Sequence, residues 1–322
     1  MCLASFGTTS GKSGDSLLSL YAGQGAVGYT QEPMLSGKSF AERWSLAALL
    51  ILFACASLVY AWLVPPFEGP DEPQHFGYVI WLAGGNGFPP QGEDAWSTPV
   101  RQEASQPPFY YILASLPARL VDASDPAASF RPNPHFPSSA PGSVADNKNV
   151  AIHYPGDADP LQGGWSALYM ARGVSILLGL GLIACVYGLG RQVFPERQRL
   201  ALAAALLAAV IPQTLFMSSL VSNDMAAAAT AALTLWLLAI MVRQGPSVWR
   251  GLALGAAYGL AALSKASSLV LIAPIAAGLA WLLWSRRYTT SSLLRAAAGA
   301  GGAALLTGGW WYARSWIVYG TP

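Results

Sequence analysis

Charge is what this sequence has least of. Of 322 residues, 18 are Lys or Arg and 16 are Asp or Glu, 11% together, against roughly 25% in an ordinary soluble domain. So few charges cannot cover the surface of a soluble protein this size. With 53% hydrophobic residues and a mean hydropathy of +0.40, that scarcity excludes a soluble globular enzyme, a disordered chain and a nucleic-acid binder with a basic face. It predicts an all-α polytopic membrane protein. Cysteine is scarce too: Cys2, Cys55 and Cys185 make no disulfide framework, and no Cys or His spacing is of metal-binding type. The first 44 residues contain no apolar stretch of the kind a signal peptide carries. They read as a disordered cytoplasmic tail.

What is present is long apolar runs. Ser45–Val64 is 20 residues without a charge, ended by Pro65 and Pro66. About a hundred residues of different character follow, holding all three histidines and many prolines; they predict a large extramembrane loop over 65–170. Two short apolar pieces inside it, Phe76–Ala83 and Phe109–Val121, are too short to cross ~30 Å of hydrocarbon. They predict interfacial helices, with Trp81, Tyr110 and Tyr111 suited to the headgroup zone. Six more spans are expected: Ala171–Gly190, Leu200–Leu220, Met225–Val242, Gly251–Ser264, Ser267–Trp284 and Ser292–Tyr312. Faces rich in Ala and Gly, such as 203–205 and 298–303, allow close helix approach.

Seven spans with a cytoplasmic N-terminus put 11 basic and 4 acidic residues inside, a balance of +7. The outer side takes 7 basic and 12 acidic residues, a balance of −5. Every short connection assigned inside is basic, as the positive-inside rule requires. The long loop is therefore expected on the extracytoplasmic side.

Three features collect on that outer face. Asp71 and Glu72 stand between Pro70 and Pro73, with His75 following; the prolines restrict the backbone and aim the carboxylates. A positioned carboxylate can act as general base toward a hydroxyl. The same spacing also fits an N-cap and first helical turn with an exposed His75. Ser222, Asn223 and Asp224 fill a tight connection between spans, where Asp224 either caps the next helix or joins the chemistry. Lys265 and Arg314 sit at outer ends of apolar helices, either snorkelling to the interface or clamping a phosphate.

These segments in this order resemble the GT-C superfamily of polyprenyl-phosphate-dependent glycosyltransferases, in particular the protein mannosyltransferase and aminoarabinose-transferase (family 39-like) enzymes. Pro70 to Phe76 resembles the acidic motif after the first span. Gln106-Pro107-Pro108-Phe109-Tyr110-Tyr111 is similar to the family's Lys-Pro-Pro-Leu-Tyr-Tyr helix, with Gln106 replacing a basic residue. Ile211 to Phe216 through Asp224, Gly255 to Lys265, and Trp311 to Gly320 resemble the later motifs.

The resemblance implies a GT-C-like helix bundle over 45–322, catalytic and continuing in relatives beyond the last residue here, so that this is expected to be an N-terminal piece. It implies a polyprenyl-phosphate sugar donor, a lipid, glycan or protein acceptor, and transfer with inversion on the outer face of the plasma membrane. Asp71 would be the base, Glu72 its neighbour or alternate, and Asp224 the second acidic residue. Lys265 and Arg314 would contact the donor phosphate, with His75, Asn223, Gln106 and Tyr110 as further site candidates. A divalent metal ion, used by some members, stays open. The alternative class is a transporter or flippase for a lipid-linked or small polar substrate. Transporters of that kind place ionisable residues at mid-bilayer, often in repeated halves, and neither is visible in this sequence.

Overall fold

A computed structural model describes residues 40–121, 130–136, 149–154 and 163–320. Residues 1–39 of the expected tail and much of 122–169 lie outside the described residues, while 40–44, expected in the disordered tail, are helical. Helix α1 begins at Phe40 and runs to Leu63, where Pro65 and Pro66 end it. After it come α2 (Glu72–Ala83), two 3-10 turns (Gly92–Ser97 and Arg101–Ser105) and α3 (Phe109–Ala118). Next are α4 (Gly163–Val193), α5 (Gln198–Val210), α6 (Pro212–Ser218), α7 (Asp224–Gln244) and α8 (Val248–Ser264). A 3-10 turn leads into α9 (Ile272–Trp284), and α10 (Thr290–Ala304) passes through a π turn at Leu305–Gly309 into α11 (Trp310–Tyr319). Among the described residues there is no strand, only one antiparallel bridge between Pro132 and Ala151.

The protein is thus a helical membrane protein, as its composition predicts. Four helices are long and apolar enough to cross a membrane: Trp44–Leu63, Gly164–Val193, Asp224–Gln244 and Ala266–Trp284. The expected span over 200–220 is α5 and α6, bent by 64°. The bend has a local cause: Pro212 lacks an N–H and its ring pushes Ile211 out of the helical region, to φ −61 and ψ 119. The two remaining expected spans fall on α8, 17 residues long, and on the α10 to α11 run. Neither is among the helices long and apolar enough to cross a membrane, so the described residues hold four such spans, or five with the bent pair, where seven were expected.

Helices α8 and α10 approach through glycine. Cβ atoms added at Gly251 and Gly255 would strike the backbone carbonyls of Ala296 and Ala300, and one at Gly259 would strike Thr307. The four-residue spacing keeps these positions on one face, and without Cβ atoms the two backbones gain dispersion contact that lipid cannot supply. The interior of α4 is positioned likewise, with Gly179 under Phe53 and Gly188 under Trp236.

Both short apolar pieces form helices, but their aromatic rings do not face outward. Phe76, Tyr78, Tyr110 and Tyr111 are fully buried in one cluster with Leu168 and Ala171 of α4 and Val221. Tyr110 Oη lies 2.8 Å from Ser175 Oγ, which itself donates to the Leu220 carbonyl at 2.6 Å. The headgroup placement expected for Tyr110 and Tyr111 is thereby corrected, because a phenol with an internal hydrogen-bond partner can be buried without cost. This cluster fixes α2 and α3 against the bundle.

The glycine face makes a direct prediction. Gly255→Leu costs about 3 kcal/mol or more by overpacking, whereas Gly301→Ala, with nothing within 4 Å of its added Cβ, is neutral or slightly stabilising. Thermal unfolding of the two variants in detergent, compared with wild type, checks the contrast.

Candidate active site

Three carboxylates stand within five residues after α1, and the structure gives them different surroundings. Glu68 accepts from the Val150 and Ala151 amides at 2.8 and 3.2 Å and lies 2.6 Å from His153 Nε2. It fastens the 149–154 segment to the loop. Glu72 is fully buried. Its Oε1 accepts from Arg172 Nε at 2.9 Å and the Val221 amide at 3.0 Å; its Oε2 accepts from Arg172 Nη2 at 2.8 Å and the Phe67 amide at 2.9 Å. Arg172 spends its remaining donors on the carbonyls of Ala61, Val64 and Pro65. Every donor of the guanidinium and every acceptor site of the carboxylate is occupied. Glu72 therefore has no lone pair free for a substrate proton, and the geometry gives it a structural task.

Asp71 is the exposed one. It precedes α2 with a left-handed backbone, φ 53 and ψ 16, and its side chain makes no capping hydrogen bond. Gln102 Nε2 donates to its Oδ1 at 3.1 Å instead. Asp71 also lines a cavity of about 620 Å³ beside Pro70, Arg101, Phe130 and Phe136.

On its other side lies a polar cluster. His75 is 7% exposed; its Nδ1 shares a 2.8 Å hydrogen bond with Tyr111 Oη and lies 3.5 Å from Glu103 Oε2. The charges of Asp224, Asp71 and Lys265 all act on it. Lys265 Nζ donates to Asp224 Oδ1 at 2.5 Å, and Ser222 Oγ donates to Asp224 Oδ2 at 3.0 Å. Asp224 is the first residue of α7, and neither it nor Asn223 caps that helix. Asn223 Nδ2 reaches Gln106 Oε1 at 3.1 Å and the Ser264 carbonyl at 3.0 Å, tying the start of α3 to the end of α8 next to Lys265.

Burial sets the protonation of this cluster. It pulls His75 down to about 4, against the opposing pull of Asp224 and Asp71, so the imidazole is neutral at pH 7. Burial, then the Asp71 charge, pushes Glu103 up to about 7. The desolvated carboxylate gives up its proton only near neutrality.

Arg314 stands among aromatic rings in the last helix. Its guanidinium lies 5.3 to 5.7 Å from the ring centres of Trp311, Phe88 and Tyr319. Arg314 Nη1, Tyr78 Oη and Gln91 Nε2 are all buried without a hydrogen-bond partner, and the Arg314 charge acts on Tyr78. Tyr78 in turn stacks on Tyr111 at 4.0 Å, which joins this second subsite to the His75 cluster.

Asp71, His75, Asn223, Gln106, Asp224 and Lys265 are thus brought into one polar region. Glu72 and Tyr110 point into the packing instead. Glu103, Gln102, Tyr78 and Arg172 belong to the arrangement and were not anticipated. For Arg172 a signal existed, since a cation at the edge of an apolar run needs a partner. Among the described residues no group of three or more His, Cys, Asp or Glu side chains is arranged to hold a metal ion.

A family model described as dolichyl-phosphate-mannose-protein mannosyltransferase matches residues 166–311. The matched stretch contains Arg172, Asn223, Asp224 and Lys265 and stops short of Arg314; Asp71 and Glu103 precede it. No match was found among curated proteins or among solved structures.

Two measurements test the site geometry. Removing one partner of a buried ion pair strands the other, so Glu72→Ala costs roughly 3–5 kcal/mol. Asp71→Asn stays within about 0.5 kcal/mol, since Asn tolerates the left-handed region. Unfolding of both variants in detergent reads the difference. The second concerns pH. Glu103 rises from its ordinary 4.5 to about 7 on folding, so the stability it contributes is complete below 4.5 and lost as pH rises through 7. Glu103→Gln escapes that loss, and its melting temperature relative to wild type increases between pH 5 and pH 8. A difference that stays constant over that range contradicts the assignment.

Proposed function

We infer the reaction of this chain from the family whose model matches residues 166–311, that of the dolichyl-phosphate-mannose-protein mannosyltransferases, and read the chain as a membrane glycosyltransferase. It moves a hexosyl or pentosyl group from a polyprenyl-phosphate donor to an acceptor hydroxyl on the extracytoplasmic face of the plasma membrane, with the N-terminus in the cytoplasm. Asp71 is the general base. One observation carries this reading: of the three carboxylates behind α1, Asp71 is the exposed one, held by its backbone and by Gln102 at the edge of a cavity.

The step is a single displacement. The acceptor oxygen bonds to the anomeric carbon as Asp71 takes its proton, while the carbon–oxygen bond to the lipid phosphate breaks and the phosphate leaves with the electron pair. Inversion follows from attack opposite the leaving group. The negative charge that grows on that phosphate needs donors already in place. Arg314 Nη1, Tyr78 Oη and Gln91 Nε2, buried without partners, fit that need, since orphaned buried donors are costly until a ligand satisfies them. The aromatic walls around Arg314 suit the boundary between headgroup and acyl chain. Lys265, paired with Asp224, supplies the positive charge of the His75 cluster.

In proteoliposomes supplied with a polyprenyl-phosphate sugar, Asp71→Asn is expected to lower transfer per folded molecule by about 10²–10⁴-fold, the usual worth of a general base. Transfer at the wild-type rate would remove Asp71 from that role.

A further inference from the structure

The cavity beside Asp71 has features that the transfer step alone does not require. Its volume, about 620 Å³, is that of a small-molecule site. Three proline rings line it (Pro70, Pro73 and Pro132), together with Phe130 and Phe136. The Phe130 ring is fixed by an edge contact with Phe67 at 5.7 Å. One cation, Arg101, completes the wall. It is exposed, starts a 3-10 turn and has a left-handed backbone, φ 50.

Only four described non-glycine residues have positive φ, and two of them, Asp71 and Arg101, line this one cavity. Such a conformation costs about 1–3 kcal/mol at a residue with no local use for it and is characteristic of ligand sites. Among the described residues the Arg101 side chain has no hydrogen-bond or ion-pair partner, and the other charged residues on the wall are Glu68 and Asp71. Glu68 is consumed by two amides and His153. Its partners leave Asp71 and Arg101 as the groups a ligand can reach.

We propose that this cavity is the acceptor subsite and that it takes an anionic saccharide: Asp71 receives the reacting hydroxyl, Arg101 binds a carboxylate or phosphate on the same molecule, and the phenylalanine and proline rings face the sugar. The proposal rests on the reading of Asp71 as base. Guanidinium meets either anion in two-point contact, and the electron-rich aromatic face takes the electropositive C–H face of a pyranose. A peptide bound by strand addition needs an open strand edge, and among the described residues there is no strand.

The test is binding, so that it stands apart from turnover. The full chain in phosphatidylcholine nanodiscs is titrated by ligand-observed NMR with methyl glucoside, methyl glucuronide, glucose 6-phosphate and an acidic serine-containing peptide. Wild type and Asp71→Asn are expected to prefer at least one anionic sugar over the neutral glycoside by about tenfold; which one it is identifies the anion. Arg101→Asn, a substitution suited to φ 50, loses the preference, and Arg101→Lys retains part of it. Equal binding of neutral and charged sugars, an unchanged preference in Arg101→Asn, or tighter binding of the peptide than of any sugar overturns the proposal. If Asp71→Asn still transfers sugar while Arg101 still selects the anion, the base assignment fails and the subsite stands.

Discussion

The buried pair of Glu72 and Arg172 is the constraint on which the outer face depends. Two charges in a dry interior are costly unless each is fully satisfied, and here every donor and acceptor is used. The bonds that satisfy them run to five separate places: the last turn of α1, the loop behind it, the start of α2, the body of α4 and the connection before α7. The pair therefore decides where α2 begins relative to the bundle, and with it where Asp71 points.

Neighbouring carboxylates thus carry different work because their surroundings differ, not their chemistry. Glu68 and Glu72 each hold backbone amides and a basic side chain, and they anchor the loop. Asp71, between them, turns outward on a left-handed backbone that an ordinary helix start would not require. Behind it, a neutral His75 and a Glu103 that titrates near neutrality keep the density of charge low enough for Asp71, Asp224 and Lys265 to coexist. Tyr111 and Tyr78 link that cluster to the orphaned donors around Arg314. In the proposed mechanism the cavity beside Asp71 takes the acceptor and the donors around Arg314 take the donor phosphate, the two partners a direct displacement needs.

Much of the helical layout was legible in the residues, because apolar runs of 18 or more have one dominant meaning. The proline pair after Val64 and Pro212 marked where helices stop or bend. The glycine spacing of α8 is visible as a pattern, but only the partner helix reveals that its face is filled by the carbonyls of Ala296 and Ala300. Tyr110 and Tyr111 show the limit of local reading: aromatic residues with a polar tip suit an interface or a core equally, and the choice rests on Ser175 and His75, distant in sequence. The partner of Arg172 was hidden for the same reason, since Glu72 lies 100 residues away. Local spacing presented Asp71 and Glu72 as equivalent, and only tertiary packing separates them.

The most direct test of this division is a double-mutant cycle on the pair, using Glu72→Gln, Arg172→Gln and both together, read by unfolding of the purified protein in nanodiscs. If the two side chains satisfy each other as described, each single change strands a buried polar partner. The double variant is then less destabilised than the sum of the two, with a coupling of about 2–3 kcal/mol. Additive losses within about 0.5 kcal/mol would show that Glu72 and Arg172 act independently, and would remove the frame that sets Asp71 apart from its neighbour.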